Sequence, residues 1–249
     1  MRALVLADIH ANLEALEAVL AAAPAHDVVW NLGDVVGYGA SPNEVIDRVQ
    51  SLGQLIVRGN HDRVSCGLAA FEFSQHALLA SQWTENVLSE KHREWLCNLA
   101  TGPVTPQEAA VSCVHGSPHD EDEYLHTLEK ALPSLRAAAS RRTFFGHTHR
   151  QVAFGVIERY SFQVKPEFML ADEPEHYELQ LRDDGCYLLN PGSVGQPRDN
   201  DWRAAFAVYD DARSLFTWYR VPYDVAEAQR KIRSAGLPDA LAYRLTRGF

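Results

Sequence analysis

The chain has 249 residues, of which 46% are hydrophobic and 22% are charged, and its formal net charge is −10. This length and composition are typical of a globular protein with a sizeable core, and we expect residues 1–249 to form a single domain. The acidic balance disfavours a general nucleic-acid-binding protein, because such proteins need a basic face for contacts with phosphates.

The first half of the chain alternates predicted strands and helices. Short apolar runs predict strands over residues 3–7, 28–32, 54–58, 109–114 and 143–145. Apolar residues at helical spacing predict helices over residues 12–20, 41–51, 74–99 and 125–139. The second helix opens with Ser41-Pro42-Asn43-Glu44, which predicts a capping box with proline at the first helical position. The third is expected to break near Ser89.

After residue 150 the pattern becomes β-rich and rich in turns. Strands are predicted over residues 151–157, 177–181, 186–190, 204–209 and 215–221, and helices over residues 223–236 and 238–247. No linker, repeat or low-complexity tract separates the two halves. We therefore expect an α/β protein in which the second half adds a second sheet to the same domain.

A polar motif directly follows each predicted strand of the first half. The motifs are Asp8-Ile9-His10, Gly33-Asp34, Gly59-Asn60-His61-Asp62, His115-Gly116 and Gly146-His147-Thr148-His149. Sites in α/β folds form beyond the carboxyl ends of strands, so we expect these groups to meet at one edge of one sheet. Residues two apart on a strand point to the same side, which would let Asp8 and His10 reach one ion. Carboxylate, amide and imidazole ligands suit a pair of transition metals.

In this order and unbroken, the five motifs resemble those of the calcineurin-like metallophosphoesterases. The later segment 190–195, Asn-Pro-Gly-Ser-Val-Gly, resembles the small bacterial and archaeal branch of that family. The resemblance implies a four-layer α/β/β/α sandwich of two mixed sheets flanked by helices. It implies one metal site formed by Asp8, His10, Asp34 and His149, and a second formed by Asn60, His115, His147 and the same Asp34.

The chemistry implied by the resemblance is phosphoester hydrolysis at two divalent ions, drawn from Mn, Fe, Zn, Ni and Co. A shared Asp34 would bridge ions about 3.5–4 Å apart, and such a pair lowers the pKa of a water so that hydroxide can attack phosphorus. His61 is implied to be the catalytic imidazole, which would protonate the leaving oxygen or stabilise charge on the phosphoryl group. Asp62 is expected to support the turn.

The implied substrate is a small phosphorylated molecule, either a phosphodiester or a nucleotide. Protein phosphatases of the superfamily carry the motif G-D-x-x-D-R-G. In this chain Gly37 stands in place of the second Asp of that motif, and Tyr38 stands in place of its Arg. Tyr38 could stack on a base, bind phosphate or pack on Pro42. The arginines that could restore the charge needed by a phosphomonoesterase are Arg63, Arg150 and Arg198. Arg141 and Arg142, which with Arg150 flank the last motif, are expected on a solvated loop edge rather than in a phosphate clamp.

The sequence also disfavours a membrane partner. No apolar run approaches the length of a membrane span, and no leader with a cleavage site precedes the first predicted strand, so we expect a cytoplasmic protein. The cysteines lie too far apart for a Cys-x-x-Cys zinc or redox motif. We therefore expect free, mostly buried thiols at Cys66, Cys97, Cys113 and Cys186.

Two further functions remain open. A catalytically inactive scaffold, like the retromer subunit that shares this fold, is disfavoured because the chain retains His61 and the full ligand set. A nuclease is disfavoured because it would need a basic approach surface or an added nucleic-acid-binding domain, and this acidic sequence shows neither. Ser193 is expected in a turn rather than in a nucleophile elbow. The other histidines are expected to have ordinary structural or surface roles: His26, His76, His92, His119, His126 and His176. This expectation is weakest for His119, because residues 116–120 continue a ligand motif and could place its side chain towards the substrate.

Overall fold

The computed structural model describes residues 1–53, 55–71 and 73–249. The strands are β1 (Arg2–Leu6), β2 (Val28–Asn31), β3 (Leu55–Ile56), β4 (Ser112–Cys113), β5 (Arg142–Phe144), β6 (Gln151–Ile157), β7 (Tyr160–Val164), β8 (Glu175–Gln180), β9 (Gly185–Pro191), β10 (Ala204–Asp210) and β11 (Leu215–Val221). The helices are α1 (Leu13–Ala22), α2 (Pro42–Ser51), α3 (Asn60–Ser65), α4 (Gln75–Val87), α5 (Glu90–Cys97), α6 (Leu128–Ala137), α7 (Val225–Ser234) and α8 (Asp239–Leu245).

The strands form two mixed sheets. The first has the order β3-β2-β1-β10-β11-β8, in which β1, β2 and β3 are parallel and the remaining pairings are antiparallel. The second has the order β4-β5-β9-β6-β7, in which β4, β5 and β9 are parallel and β6 and β7 antiparallel. Parallel pairing in each sheet brings the motif-bearing ends of its strands to the same side.

Helices cover the outer faces of both sheets. Large aromatic side chains, among them Trp30, Phe144 and Trp218, fill the space between the sheets. Apolar faces of α1, α2, α7 and α8 pack on the first sheet, and α6 packs on the second. The predicted four-layer α/β/β/α sandwich is confirmed. None of the helices in the described ranges is both long enough and apolar enough to cross a bilayer.

The expectation that all five motifs meet at the edge of one sheet is wrong. Three motifs follow β1, β2 and β3 of the first sheet, and two follow β4 and β5 of the second. Hydrogen bonds join the two groups, since the His147 backbone N–H donates to Asp8 Oδ1 at 3.1 Å. Face-to-face packing therefore brings together loops that strand pairing alone would keep apart.

Local structure differs from the sequence prediction at several points. Strand β7 and helix α3 were not predicted. Helix α3 was missed because it is short and starts inside a polar motif. Of the predicted strand 54–58, Gln54 lies outside the described residues and β3 covers Leu55–Ile56. Helix α2 begins at Pro42 as expected, but the Ser41 side chain makes no capping hydrogen bond.

The expectation of free thiols is wrong for two of the cysteines. Cys66 follows α3 and Cys97 ends α5, and the packing of these helices brings the two Cα atoms to 5.6 Å in a disulfide. Cys113 and Cys186 are free. The spacing of 31 residues gave no signal, because the pairing depends on tertiary packing.

Candidate metal centre

The loops that follow the strands hold their polar residues in an unusual backbone conformation. Five candidate ligands have positive φ: Asp8 (54°), His10 (51°), Asp34 (54°), His147 (62°) and His149 (57°). This left-handed region is costly for residues other than glycine, and such strain persists where the surrounding structure enforces it, often at functional sites. Asp8 and His10 therefore converge through a strained turn beyond β1, and not through the alternation of a continuing strand.

Four of the candidate ligands form one buried cluster. Donor atoms of Asp8, His10, Asp34 and His149 all lie within 4.8 Å of one another. His10 Nε2 is 3.0 Å from His149 Nε2 and 3.5 Å from Asp34 Oδ2. Asp8 Oδ1 is 3.5 Å from His149 Nε2.

A second buried cluster shares Asp34 with the first. Donor atoms of Asp34, His115 and His147 lie within 4.8 Å of one another. His115 Nε2 is 3.0 Å from Asn60 Oδ1, 3.1 Å from His147 Nδ1 and 3.4 Å from Asp34 Oδ2. The same Asp34 oxygen therefore faces an imidazole nitrogen from each cluster.

Backbone carbonyls set the orientation of the imidazoles in the first cluster. His10 Nδ1 donates to the Val36 carbonyl at 3.1 Å, and His149 Nδ1 donates to the Gln196 carbonyl at 2.6 Å. A neutral ring that donates from Nδ1 carries a lone pair on Nε2. The two Nε2 atoms that face each other at 3.0 Å are then both acceptors, an arrangement that a cation between or beside them would stabilise.

The second cluster has the same construction. His115 Nδ1 donates to the Leu32 carbonyl at 2.8 Å, and His147 Nε2 donates to the Asp122 carbonyl at 3.2 Å. The remaining nitrogens, His115 Nε2 and His147 Nδ1, point at each other. Carbonyl partners of this kind orient metal-binding histidines in known sites.

Two buried carboxylate oxygens complete the case for cations. Asp8 Oδ2 and Asp34 Oδ2 have no hydrogen-bond partner although both residues are buried. Burying a carboxylate oxygen without a close hydrogen bond costs free energy when the group is charged, so a cation near these two atoms would be stabilised. The oxygen, amide and imidazole donors fit divalent transition metals.

The electrostatics of the cluster residues agree with this. Burial raises the pKa of the Asp8 carboxyl to about 8. Burial alone would lower the pKa of His115, but Asp34 raises it to about 10. For Asp34, burial favours the neutral form, yet His115 and His61 hold its pKa well below the usual value. A proton on His115 and one on Asp8 thus occupy positions that metal ions would take.

Metal binding is therefore expected to release protons. Because Asp8 and His115 bind protons in the metal-free protein, protons compete with the metal, and its apparent affinity should fall as the pH is lowered through about 10 and then about 8. Calorimetric titration with Mn²⁺ in two buffers of different ionisation enthalpy measures the release. Equal heats in both buffers would contradict this expectation.

The third motif turns directly into α3. Gly59 precedes the helix, and a side chain there would collide with Asp34 Oδ1. Asp62 Oδ2 accepts the Gly59 N–H at 3.0 Å and Oδ1 accepts the Val36 N–H at 3.1 Å, so this carboxylate holds the turn. The His61 backbone N–H donates to Asp34 Oδ1 at 2.8 Å, which fixes the ring beside the clusters.

His61 is buried and lies in a cage of aromatic rings. Its ring centre is 4.3 Å from Tyr38, 4.7 Å from Phe73 and 4.9 Å from His10, and its Nδ1 is 3.4 Å from Ser81 Oγ. Burial lowers the pKa of His61 to about 4, so the ring is neutral at neutral pH, with one N–H donor and one acceptor nitrogen.

A cavity of about 190 Å³ opens over His61 and the second cluster. Its walls contain aromatic rings, two arginines and the ligand candidates Asn60 and His147. The Tyr124 ring centre lies 3.8 Å from that of His147. The arginines are Arg198 and Arg244. Aromatic surfaces and positive charges of this kind suit an anion attached to a flat or apolar group, and one carboxylate, that of Asp122, also lines the cavity.

The arginines named from the sequence have different environments. Arg63 is committed to a bidentate ion pair with Asp122 at 2.9 Å. Arg150 is exposed and donates to the Arg198 carbonyl, and Arg142 is paired with Asp183 away from the clusters. The structure brings only Arg198 of this group into the cavity.

The segment 190–196 forms hydrogen bonds with the loops that carry the candidate ligands. Ser193 Oγ donates to the Asp8 carbonyl at 2.7 Å and accepts the Gln196 N–H at 2.8 Å, so it belongs to a turn. Asn190 Nδ2 donates to the Gly146 carbonyl at 2.7 Å. These bonds fix the loops that carry Asp8 and the last motif.

Sequence reasoning missed Tyr124 and Arg244. Tyr124 lies in a loop and Arg244 lies on the final helix, and neither has a motif around it. It also missed the carbonyl acceptors of Leu32, Val36 and Gln196, since any residue supplies a carbonyl. By contrast, His92 is bound by Asn43 and Asp47 in a structural role.

A comparison with protein families identifies the chain. The calcineurin-like phosphoesterase superfamily domain matches residues 1–212. The chain belongs to this superfamily. Members of the calcineurin-like family use divalent metals, which agrees with the two donor clusters.

Individual relatives cover the calcineurin-like chain from end to end. A metallophosphoesterase from Sphaerobacter thermophilus is 36% identical with a TM-score of 0.85, covering 100% of this chain and 99% of its own. Protein MJ0912 from Methanocaldococcus jannaschii is 32% identical over 98% of this chain and 97% of its own. Protein PH1004 from Pyrococcus horikoshii, at 18% identity and a TM-score of 0.77 over 100% and 98% of the two chains, shares the fold.

Proposed function

We propose that this calcineurin-like protein is a phosphoester hydrolase with two metal ions, acting on a phosphodiester or a nucleotide. The observation that carries the proposal is Asp34 Oδ2, a buried carboxylate oxygen that lies 3.5 Å from His10 Nε2 and 3.4 Å from His115 Nε2, one imidazole from each cluster. One carboxylate oxygen between two sets of imidazole lone pairs is the arrangement that two adjacent cations need.

The two donor clusters would each hold one ion. The first site would use Asp8, His10, Asp34 and His149, and the second Asn60, His115, His147 and Asp34. When bound, the ions supply an activated hydroxide and positive charge for the phosphoryl oxygens. The carbonyl partners of the four imidazoles keep their free nitrogens directed inward before any ion arrives.

We infer that His61 is the catalytic residue beside the metal sites. It lines the cavity and is fixed by its own backbone bond to Asp34. Because its pKa is about 4 through burial, the neutral ring is expected to donate a hydrogen bond to a phosphoryl or leaving oxygen. This favours charge stabilisation over transfer of a proton from a charged imidazole.

Substrate preference follows from the cavity wall. The expected lack of positive charge beyond the metals is wrong, since Arg198 and Arg244 both line the cavity. A phosphomonoester dianion is therefore not disfavoured by charge. Tyr38, Phe73 and Tyr124 offer apolar ring surfaces that suit a nucleobase. These features favour a nucleotide over a phosphoserine peptide.

The test is a substrate screen with metal-loaded and chelator-treated protein. Bis(p-nitrophenyl) phosphate, nucleotides, p-nitrophenyl phosphate and a phosphoserine peptide are compared by kcat/KM with Mn²⁺ present. We expect nucleotides or diesters to be the best substrates, the peptide to be poor, and chelation to abolish turnover until Mn²⁺ is restored.

Three outcomes would count against the proposal. Full activity in metal-free protein would exclude the metal mechanism. A clear preference for the phosphoserine peptide would overturn the substrate class. No hydrolysis by protein that carries two ions per chain would favour an inactive scaffold.

A further inference from the structure

Two guanidinium groups flank Tyr38 in the cavity over the candidate metal centre. The Arg198 guanidinium carbon is 5.7 Å from the centre of the Tyr38 ring, and that of Arg244 is 5.8 Å from the same centre. Arg198 Nη2 also donates to Tyr38 Oη at 3.3 Å. Arg244 comes from α8 and Arg198 from the loop after β9, so the pairing is assembled from distant parts of the chain.

Neither guanidinium forms an ion pair with an Asp or Glu side chain among residues 1–53, 55–71 and 73–249. Arg198 donates to the Gln196 side-chain amide at 3.2 Å and its Nε is buried without a partner, and Arg244 Nε donates to a main-chain oxygen of Phe249 at 2.6 Å. Other sheltered arginines pair with acidic side chains, as Arg203 does with Glu175 at 2.8 Å. In a chain of net charge −10, two neighbouring arginines without an Asp or Glu partner in the described residues are unexpected.

Their proximity costs free energy unless an anion joins them. Burial and the positive charge of Arg198 lower the pKa of Arg244, which shows that the two groups repel each other. An anionic group bound in the cavity that both arginines line would offset this repulsion and accept charge-assisted hydrogen bonds from their N–H groups.

The pair lies on the side of the cavity that His61 occupies. The Tyr38 ring that both arginines approach is 4.3 Å from the His61 ring, and all four residues line the same cavity. If His61 faces the leaving oxygen, the arginines are close to the part of the substrate that departs.

Resting on the proposed function, we propose that Arg198 and Arg244 bind a second anionic group, carried by the leaving group of the substrate. The substrate class is then a nucleotide with a further phosphate beyond the reacting one. For ADP, water adds to the terminal phosphorus, the bond from that phosphorus to the bridging oxygen breaks, and the products are phosphate, AMP and a proton. AMP itself lacks the second group, because its leaving group is neutral adenosine.

The first test compares ADP with AMP in metal-loaded protein. Arg244→Met should lower kcat/KM for ADP by about 10–100-fold, and the loss on AMP should be smaller by about tenfold or more. Arg198→Met should show the same selectivity and serves if Arg244→Met does not fold. The matched control is Arg247→Met, since Arg247 is exposed and packs over Tyr243 outside the cavity, and it should change neither substrate.

The second test measures binding without turnover. ADP and adenosine are titrated calorimetrically into chelator-treated full-length protein, where the arginines are the cations left in the cavity. Wild-type protein and Arg247→Met should bind ADP equally, and Arg244→Met should bind it about tenfold more weakly, with adenosine unaffected.

The results separate the two proposals. Equal ADP affinity in wild-type protein and in both arginine variants would overturn the anion subsite, even if the metal-loaded protein hydrolyses phosphoesters. Arginine-dependent ADP binding without any hydrolysis would support the subsite and refute the phosphoesterase proposal. Equal losses on ADP and AMP would also overturn it, because the arginines would then bind the reacting phosphate.

Discussion

Asp34→Asn is expected to lose both metal ions and all measurable phosphoester hydrolysis. The substitution keeps the shape of the side chain but removes its charge, and Asp34 Oδ2 is the atom that faces His10 and His115 at once. Each of the two sites then loses its shared anionic ligand while keeping its imidazoles. Elemental analysis of the purified protein should fall from about two ions per chain towards none, and turnover should fall with it.

The matched control is Asp62→Asn. Asp62 is a second buried carboxylate in the same set of loops, but it accepts backbone N–H groups of Gly59 and Val36 and belongs to neither donor cluster. We expect this variant to retain both ions, with a lower melting temperature. Retention of two ions by Asp34→Asn would mean that the carboxylate does not bridge them.

His61→Ala is expected to keep both ions and reduce turnover by about 10²–10⁴, the range for loss of a catalytic acid or base. The imidazole belongs to neither donor cluster, and its contacts are the rings of Tyr38 and Phe73 and the Ser81 hydroxyl. Removing it should therefore leave metal content unchanged while removing a hydrogen-bond donor from the cavity. Turnover and metal analysis on the same preparation separate these effects.

Two variants sharpen this test. His61→Asn retains a side-chain N–H and should recover part of the lost turnover if the ring acts as a neutral donor. His92→Ala removes another buried histidine, bound by Asn43 and Asp47, and should leave turnover unchanged. Wild-type turnover in His61→Ala would show that the catalytic assignment is wrong.

The sequence predicted those parts of the fold and site that depend on local order. Apolar periodicity located most helices and strands, and the polar motifs after strands located Asp8, Asp34 and His147 in one place. These predictions were correct because a strand end and the residues that follow it are neighbours in the chain. Which sheet each strand joins depends on long-range packing, and there the prediction of a single sheet was wrong.

Other parts of the site carry no sequence signal. The positive φ of Asp8 and His10 accompanies backbone hydrogen bonds from these residues to Gly33 and Asp34, and the sequence does not show that the two loops meet. Arg244 reaches the cavity only because α8 packs against the first sheet, and Cys66 meets Cys97 only because α3 packs on α5. Tertiary contacts of this kind need the coordinates of the whole chain.

Because the candidate ligands come from two different sheets, metal ions bound by them would also stabilise the packing of the two sheets. Asp8 and His10 extend from the first sheet, and His147 and His149 extend from the second. An ion bound by ligands from both sheets would link the sheets and oppose their separation. At a free metal concentration of 100 times the dissociation constant, one such ion adds about 2.7 kcal/mol to the free energy of unfolding. The concentration of free metal would then affect the lifetime of the folded state as well as the turnover rate.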